Sequence, residues 1–290
     1  MGETTRRIRA SGGRARRITV DGPATVTALC DGYLDLDLSR FPDVARGIGD
    51  DLAIADGQDL NDMSISVNAF LLELPGRLAL VDAGDSNRRG DSLGHLLPAL
   101  KNAGYDPEDI SDILLTHLHG DHAAGLVRGG ERLFPKATLH VSAAEQAFWN
   151  DPSQLDELQS VQLPFAQAAM RLYADRLVTI HPGNEVLPGV HVRALPGHTP
   201  GQVGFQLGER NPLLISADVL HLPALQVRFP DWGFLFDADR PRSRTMRHEI
   251  LAETARSGLR LAGAHIPFPG VIRIVPGPEG LGFRTAEDEV

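Results

Sequence analysis

The 290-residue chain is predicted to be an α/β protein, and three observations support that prediction. Short apolar runs typical of strands alternate with helix-like stretches along the whole chain. Apolar residues make up 42% and charged residues 23% without a low-complexity tract, as in a folded domain with a sizeable core. Three predicted strands end in residues able to bind metal, His117, Asp218 and His265, and open α/β folds place their chemistry at strand ends.

Ten short apolar runs predict the strands in chain order. They are bounded by turn residues, as strands usually are. Pro75-Gly76, between the second and third runs, predicts a tight turn and therefore a hairpin. The predicted strands are Thr25–Leu29, Ile65–Leu74, Arg77–Val81, Ile113–Thr116, Ala137–Val141, Val190–Leu195, Val203–Leu207, Leu213–Ala217, Leu259–Ala264 and Val271–Val275.

Helices are predicted between these strands. Residues 92–103 have a helical pattern, and apolar residues recur at helical spacing over 165–173. Ser142 and Glu145 have the spacing of a capping box, which predicts the start of a helix after the fifth strand. Residues 242–257 predict the last helix.

Charge is unevenly distributed along the chain. Residues 1–17 contain six arginines and one acid, Glu3, a formal charge of +5. Since the whole chain carries −10, the remainder carries −15. We expect residues 1–18 to be a disordered, solvated tail and residues 19–290 to form a single domain. The acidic body lacks the basic surface that a phosphate backbone requires, so no nucleic-acid partner is expected.

Targeting features favour a cytoplasmic protein without a membrane partner. The basic N-terminal residues are not followed by the apolar stretch of a secretory signal. No apolar run approaches the roughly 20 residues that a membrane helix needs. The single cysteine, Cys30, cannot form an internal disulfide, and its apolar surroundings predict a small buried side chain.

The densest cluster of candidate ligands is Thr116-His-Leu-His-Gly-Asp-His122. An extended backbone would aim His117 and His119 to one side, and Gly120 permits a sharp turn. Asp121 and His122 can then present a second pair of ligands from the start of a helix. Imidazole and carboxylate groups suit Zn²⁺, and also Fe, Mn or Co. Unrelated histidines would rarely occur at this density, so the motif predicts a metal site.

Three further candidates follow strands later in the chain. His198 lies in Leu195-Pro-Gly-His-Thr-Pro-Gly201, Asp218 ends Leu214-Ile-Ser-Ala-Asp218, and His265 ends Leu261-Ala-Gly-Ala-His265. Each alone would be unremarkable, because a lone His after a strand is commonly a loop residue and a lone Asp a helix cap. Together with the first motif they supply enough ligands for two metal ions.

The order His-x-His-x-Asp-His, followed by His, Asp and His, resembles the metallo-β-lactamase superfamily over about residues 24 to 284. Val81-Asp82-Ala-Gly84 is similar to the superfamily's early strand-end motif, in which the Asp supports the metal site without binding metal. The resemblance implies a four-layer αβ/βα sandwich with the metals at one edge, between two sheets. It also implies two divalent ions, with zinc expected and Mn, Co or Fe as alternatives.

The ligand assignment also follows from the resemblance. One ion would be held by three histidines, the other by an aspartate and two histidines, and a second aspartate would bridge them. A histidine at the second position of the motif favours hydrolysis, since relatives that run redox chemistry on two irons have Glu there. The implied ligands are His117, His119 and His198 for the first ion, Asp121, His122 and His265 for the second, and Asp218 as the bridge.

Two segments, Gly197-His-Thr-Pro-Gly201 and Ala264-His-Ile-Pro-Phe-Pro-Gly270, are similar to the branch that contains methyl parathion hydrolase-like enzymes and quorum-quenching lactonases. This resemblance implies a dimeric hydrolase in which a bridging hydroxide opens neutral lactones and esters, with promiscuous cleavage of organophosphate triesters. Asp121 or Asp218 would accept the proton of the nucleophile.

Four residues are candidates for the substrate pocket. Trp149, Phe165 and Phe229 match pocket aromatics of the parathion hydrolases, and ordinary core positions are an equal alternative. His221 stands three residues after the bridging Asp, where lactonases have Tyr and parathion-hydrolysing enzymes have an apolar residue. It would either donate a hydrogen bond to the substrate or shuttle a proton, or else be a surface histidine.

Two other functions remain open at this point. A thioester hydrolase of the glyoxalase II kind, or a tRNA-processing nuclease, would use the same ligands, although the acidic body disfavours the nuclease. A metal-binding protein without catalytic activity is the second alternative. It is disfavoured because all seven ligands are present.

Overall fold

A computed structural model of the chain describes residues 12–22, 24–44, 47–55, 57–59, 62–277 and 280–285. Within these ranges there are sixteen strands and eight α-helices. The strands are β1 (Ala15–Ile18), β2 (Thr25–Asp35), β3 (Ser64–Leu74), β4 (Arg77–Val81), β5 (Asp112–Leu114), β6 (Val127–Arg128), β7 (Glu131–Arg132), β8 (Thr138–Ser142), β9 (Leu177–Ile180), β10 (Glu185–Leu187), β11 (Val190–Ala194), β12 (Val203–Leu207), β13 (Leu213–Ile215), β14 (Arg260–Ala262), β15 (Val271–Gly277) and β16 (Gly280–Thr285). The helices are α1 (Ile48–Ala55), α2 (Leu96–Asn102), α3 (Gly120–Ala123), α4 (Ala143–Asn150), α5 (Glu157–Ser160), α6 (Leu163–Leu172), α7 (Pro223–Gln226) and α8 (Arg240–Ser257).

The strands form two large mixed sheets. The first has the order β1-β2-β3-β4-β5-β8-β9 and the second the order β10-β11-β12-β13-β14-β15-β16. The β4, β5, β8 and β9 neighbours pair in parallel, as do β13 and β14, and the other neighbours pair antiparallel. The predicted hairpin is confirmed, since Leu74 of β3 pairs with Arg77 of β4 across Pro75-Gly76.

The alternation of side chains along β3 shows how the layers pack. Phe70 and Leu72 point into a core shared with the second sheet, including Phe205 of β12. Ala69 and Leu71 point the other way, into a core covered by α2, α4 and α6. The outer face of the second sheet packs against α8. The order helix, sheet, sheet, helix confirms the predicted αβ/βα sandwich.

Two predicted helices illustrate how the sequence sets their ends. Helix α2 begins at Leu96, so Pro98 lies in the first turn, where a missing N–H costs no helical hydrogen bond. Helix α8 ends before Gly258, which adopts φ +71° as a left-handed cap. Among the described helices, none has both the length and the apolar character that crossing a bilayer takes.

The predicted disordered tail requires a correction. Residues 1–11 lie outside the described residues, but Ala15–Ile18 form β1, which pairs antiparallel with β2. Ile18 supplies the physical reason, because its side chain is buried in the core between the two sheets. The expected burial of Cys30 is confirmed, since its side chain in β2 is fully inaccessible.

Candidate metal centre

The seven predicted ligands come together at one edge of the sandwich. Their positions follow from the topology, because the strands before them end at that edge and release short loops. Each loop emerges from a buried strand, so six of the seven residues are buried and Asp121 is only partly exposed. His117 and His119 follow β5, Asp121 and His122 lie in α3, His198 follows β11, Asp218 follows β13, and His265 follows β14.

One cluster consists of His117, His119 and His198. A ligand atom of each residue lies within 4.8 Å of the others. Nδ1 of His119 is 2.9 Å from Nε2 of His198, so these two nitrogens face each other. Three buried imidazoles without an acid among them form the nitrogen-rich set that zinc binds well.

A second cluster consists of Asp121, His122, Asp218 and His265, again with ligand atoms within 4.8 Å of one another. Nε2 of His265 lies 3.3 Å from Oδ2 of Asp121 and 3.1 Å from Oδ2 of Asp218. This set combines imidazole nitrogens with carboxylate oxygens, so it would suit a slightly harder metal ion than the first cluster does.

Asp218 lies between the two clusters. Its Oδ2 is 3.3 Å from Nε2 of His198 and 3.8 Å from Nε2 of His117, both in the first cluster. Its Oδ1 is 3.3 Å from Nε2 of His122 in the second. One carboxylate therefore presents an oxygen to each cluster, which is the arrangement a bridging ligand requires.

Every histidine of the two clusters has its other ring nitrogen held by a protein group. Such contacts fix the ring orientation and the tautomer, so that the free nitrogen is presented to a metal. The contacts are His122 Nδ1 to Asp82 Oδ2 at 2.8 Å, His198 Nδ1 to Asp237 Oδ1 at 2.9 Å, His119 Nε2 to Gln159 Oε1 at 2.8 Å, His265 Nδ1 to the Ser66 carbonyl at 2.9 Å, and His117 Nδ1 to Thr116 Oγ1 at 3.1 Å.

The ligand atoms that make no hydrogen bond are the feature that indicates metal ions. Nε2 of His117, Nε2 of His122 and Oδ1 of Asp218 are buried and have no hydrogen-bond partner among the described residues. Buried polar atoms without partners are rare and costly, so their convergence on one region needs an explanation. A pair of divalent cations would satisfy these atoms, and the donor set fits such a pair.

The electrostatics agree with this fit. Burial lowers the pKa of His119 to about 3 and that of His117 well below its usual value, so both imidazoles are neutral donors. Burial also opposes charge on His265, but Asp218 and Asp121 outweigh it and raise the pKa to about 10. The carboxylates thus favour positive charge at this edge, which bound cations would supply.

The backbone is strained at two positions in the centre. Asp82 has φ +58° and Ala217, immediately before Asp218, has φ +51°. They are the described residues other than glycine with positive φ, and each such residue costs of the order of 1–3 kcal/mol. The strain aims the Asp82 carboxylate at Thr116 and His122, and sets the direction of Asp218.

Sequence reasoning missed Asp237 and Arg247. Asp237 contacts His198 through Oδ1, and its Oδ2 accepts a hydrogen bond from the Phe234 N–H at 3.0 Å. Arg247 is fully buried and lies 3.5 Å from the same carboxylate. Burial favours the neutral acid, but His198 and Arg247 outweigh it and hold the pKa of Asp237 well below its usual range. No local motif marks Asp237, because it joins the site from a loop 39 residues beyond His198.

Sequence reasoning also missed the role of Glu145. Ser142 caps α4 as predicted, but the Glu145 carboxylate does not complete the capping box. Instead it accepts hydrogen bonds from the Leu118 N–H at 2.9 Å, Trp149 Nε1 at 2.6 Å and Thr199 Oγ1 at 2.6 Å. Leu118 lies between two ligands and Thr199 follows a third, so this carboxylate ties the two loops of the first cluster together.

The packing of the His198-Thr-Pro-Gly201 loop against the start of α4 requires a glycine at position 201. A Cβ on Gly201 would lie 2.0 Å from the Glu145 nitrogen, so any side chain would push the loop away from α4. Ser142 Oγ donates to the Gly201 carbonyl at 2.6 Å, which closes the contact. The His-Thr-Pro-Gly segment is therefore shaped to fit the start of α4.

A cavity of about 130 Å³ opens over the two clusters. Its walls combine apolar side chains with two arginines, and the lining includes Leu34, Arg40, Arg89, Phe234 and Phe236. It is therefore a mixed pocket in which an apolar substrate body can lie beside cationic groups.

The predicted pocket aromatics are not brought together over the metal centre. Trp149 is a core residue whose ring edge contacts His119, with centroids 5.7 Å apart. Phe229 stacks on Trp232 at 4.4 Å, and Phe165 lines a different, larger cavity. Sequence spacing could not distinguish these positions from Phe234 and Phe236, because all five are aromatic residues near loops.

His221 is buried, with 1% of its surface exposed, which excludes a surface histidine. Its ring lies between Phe234, with centroids 3.8 Å apart, and His265, at 5.2 Å. Nε2 is 3.3 Å from Oδ2 of Asp218. Burial lowers the pKa of His221 to about 4, so the ring is neutral at pH 7. It is not among the residues lining the cavity over the centre, and its ring nitrogen lies beside the Asp218 carboxylate.

The fold and the two clusters define a class: an αβ/βα sandwich with clustered His and Asp residues that could hold metal at its edge. Residues 65–265 match the family model of the metallo-beta-lactamase superfamily. This match covers more than half of the chain, which therefore belongs to the metallo-beta-lactamase superfamily.

Individual relatives agree with the family. An N-acyl homoserine lactonase from Bacillus sp is 29% identical over 178 residues, 54% of this chain and 64% of the relative. The chain thus spans less than two thirds of the length of the first curated relatives it matches. The hydrolase AbOPH is a similar structure, with TM-score 0.87 and 28% identity over 94% of this chain and 97% of that one. The dizinc quorum-quenching lactonase AidC has TM-score 0.87 and 24% identity over 93% and 97%.

Proposed function

We propose that the chain is a metal-dependent hydrolase that opens lactones and esters at a dinuclear centre. The observation that carries the proposal is Asp218, which presents one oxygen to each of two ligand clusters, while Nε2 of His117, Nε2 of His122 and Oδ1 of Asp218 make no hydrogen bond among the described residues. The 29–30% identical relatives named N-acyl homoserine lactonase support a lactone substrate.

Divalent ions in such a site lower the pKa of bound water and polarise a carbonyl oxygen. The first ion would be held by His117, His119 and His198, and the second by Asp121, His122 and His265, with Asp218 shared. Zinc suits this set of imidazoles and carboxylates best, and Mn, Co or Fe would also bind.

The protein residues of the site divide into two roles. Asp121 and Asp218 both line the cavity, but the Asp121 side chain is 13% exposed and that of Asp218 only 2%. Asp121 is thus the carboxylate better placed to take up the proton released when water attacks. His221 is a positioning residue, because its Nε2 lies beside Asp218 and its ring is fixed between Phe234 and His265.

The cavity also supports the proposed substrate class. Phe234 and Phe236 offer apolar surface, and a neutral ester or lactone meets no desolvation cost for charge there. A neutral phosphotriester is expected as a slower, promiscuous substrate, because its cleavage also builds negative charge on oxygen beside the metals. By resemblance, we further expect a cytoplasmic homodimer.

The test combines substrate hydrolysis with metal analysis on one purified sample. The panel contains a long-chain N-acyl homoserine lactone, an aryl ester, a dialkyl aryl phosphate and S-lactoylglutathione. We expect two metal ions per chain and fastest turnover of the lactone or ester. Asp218→Ala should remove the activity and lower the metal content. Preference for S-lactoylglutathione would establish the thioester hydrolase instead, and two bound metals without any turnover would favour a non-catalytic protein.

A further inference from the structure

A buried arginine contacts the stretch of chain that joins two parts of the candidate metal centre. Residues 219–237, the connecting segment, begin directly after Asp218, the predicted bridging ligand. They end at Asp237, whose Oδ1 lies 2.9 Å from Nδ1 of His198. Arg247 of α8 is fully inaccessible and contacts this segment. A buried guanidinium is costly unless its N–H groups find acceptors, so the contacts that satisfy it indicate its role.

The guanidinium group of Arg247 has five N–H donors, and five acceptors lie within hydrogen-bond distance of it. Four of these acceptors belong to the connecting segment. The contacts are Nε to the Val219 carbonyl at 3.0 Å, Nη1 to the Pro230 and Trp232 carbonyls at 2.8 and 3.3 Å, and Nη2 to Asp237 Oδ2 and Ser243 Oγ at 3.5 and 3.2 Å. One planar group therefore holds the start, the middle and the end of the segment in a fixed arrangement.

Both ends of the connecting segment adjoin predicted ligands. At its start, Val219 directly follows Asp218, whose Oδ2 lies 3.3 Å from Nε2 of His198. At its end, Asp237 contacts the other ring nitrogen of the same histidine and so fixes the orientation of the ring. The direction of the Asp218 side chain relative to the His198 ring therefore depends on contacts that meet at Arg247.

The later part of the connecting segment supplies part of the wall of the cavity over the clusters. Phe234 and Phe236 line that cavity. They follow the carbonyl groups of Pro230 and Trp232, to which Nη1 of Arg247 donates. A shift of these carbonyl groups would move the cavity wall and the ligand contacts together. The same guanidinium thus connects the substrate cavity to the predicted metal ligands.

We propose that Arg247 is a positioning residue of the metal centre, whose guanidinium holds Asp218, His198 and the aromatic cavity wall in their relative positions. The inference rests on the proposed function. It deepens that function, because it names a residue outside both clusters on which metal affinity and substrate binding depend together. The role requires the planar group and not only its charge. A lysine would carry the charge, but its three donors share one nitrogen and cannot span acceptors at both ends of the segment.

The test replaces the planar group and keeps the charge, by Arg247→Lys. We expect this variant to bind Co²⁺ about tenfold more weakly or worse, the scale on which loss of an outer partner lowers metal affinity. Its visible Co²⁺ spectrum at full occupancy should also differ from that of the wild type, because the ligands would no longer be held in the same directions. For a lactone that the wild type hydrolyses, kcat should fall and KM should rise, since the segment carries both a ligand contact and the cavity wall.

Arg260→Lys is the matched control. Arg260 is also buried, at the start of β14, and donates to the carbonyl groups of Thr19 and Asn211 at 2.6 and 3.3 Å. The control therefore makes the same replacement at another buried arginine that binds backbone carbonyls, away from the connecting segment. Its melting temperature should fall, while its Co²⁺ affinity and spectrum should match those of the wild type.

If Arg247→Lys does not fold, amide hydrogen exchange of the wild type decides. Coupling between two sites is reciprocal, so filling the centre with Co²⁺ should slow exchange in the connecting segment and in α8 around Arg247. The slowing should exceed that in α2, which serves as the reference helix. Equal slowing in α2 and α8 would overturn the inference.

The metal measurements separate this inference from the proposed function. If the metal-loaded wild type hydrolyses no member of the panel, yet binds Co²⁺ more tightly than Arg247→Lys and as tightly as Arg260→Lys, the hydrolase proposal fails and the positioning role stands. A folded Arg247→Lys variant with the wild-type Co²⁺ affinity and spectrum rejects the positioning role, whatever the activity.

Discussion

Glu145 offers the sharpest test of how the protein holds its first metal cluster. Its carboxylate accepts three hydrogen bonds, from Leu118 and Trp149 on Oε1 and from Thr199 on Oε2. Glu145→Gln keeps the size of the side chain and replaces one oxygen by an NH₂ group. With the NH₂ on the Thr199 side, the hydroxyl can turn to accept, so all three contacts can persist without the charge.

The expected magnitude follows from those contacts. A hydrogen bond to a charged group contributes about 1.5–3 kcal/mol, against about 0.5–1.5 kcal/mol for a neutral one. Converting the two contacts to Oε1 should therefore cost about 2–3 kcal/mol, shared between the stability of the apoprotein and the affinity of the first cluster for metal. Loss of an outer partner typically lowers metal affinity about 10–100-fold. Because Glu145→Gln weakens these contacts without removing them, we expect a decrease at the lower end of that range, about tenfold, in the cluster of His117, His119 and His198.

The assay is a two-site Co²⁺ titration followed by absorbance, with bound metal counted by mass spectrometry. Asp112→Asn is the matched control, because Asp112 is an equally buried carboxylate that contacts Arg77, Ser111 and His140 but neither ligand loop. Both variants should lose stability, whereas only Glu145→Gln should weaken one of the two metal sites. Wild-type affinity at both sites in Glu145→Gln would refute the reasoning.

Two further predictions test other parts of the molecule. His221→Phe preserves the stack on Phe234 but removes the nitrogen 3.3 Å from Asp218, so kcat/KM should fall about 10–100-fold. His221→Gln keeps an N–H and should recover part of that loss. Equal kcat/KM in both variants would contradict a positioning role. Asp21 accepts backbone N–H groups of residues 209–211, which lower its pKa to about 2, so its stabilising effect is present above the unfolded value near 4 and is lost as pH falls towards 2. Asp21→Ala should accordingly lower the urea midpoint at pH 7 and by roughly half as much at pH 3. An effect of the same size at both pH values would show that the carboxylate charge is not responsible.

The sequence predicts most of the fold because its signals are local. The Pro75-Gly76 turn, the apolar runs and the glycine after α8 each act within a few residues of the structure they determine. Strand β1 was hidden because its arginines dominate the pattern, while its one buried side chain, Ile18, gives no periodicity. The structure brings the predicted metal ligands together for a related reason, since they lie on strand ends or, for Asp121 and His122, on the short helix that follows one, and those strand ends share an edge.

The residues that surround the predicted ligands are not marked by local sequence patterns. Asp237 and Glu145 reach the ligands from segments 39 and 27 residues away from their partners His198 and Leu118, so nothing in their neighbours indicates the contact. The positions of the predicted pocket aromatics relative to the clusters lacked a local signal for a similar reason. Whether Phe165 or Phe234 faces the metals depends on the path of α6 and of the loop before α8, and spacing along the chain does not encode that path.

The stability of the fold is connected to its ligands. Four carboxylates lie at one edge of the sandwich: Asp82, Asp121, Asp218 and Asp237. Among the described residues, Arg247 is the arginine in direct contact with this group, through Asp237. Two strained backbone positions, Asp82 and Ala217, lie in the same region. Buried like charges and strained φ values both raise the free energy of the folded apoprotein. Two divalent cations would offset the repulsion between the carboxylates. The backbone strain would remain, and it holds the Asp82 and Asp218 side chains in the direction of the site. The sandwich therefore provides a rigid edge whose full stability depends on the ions that it would use.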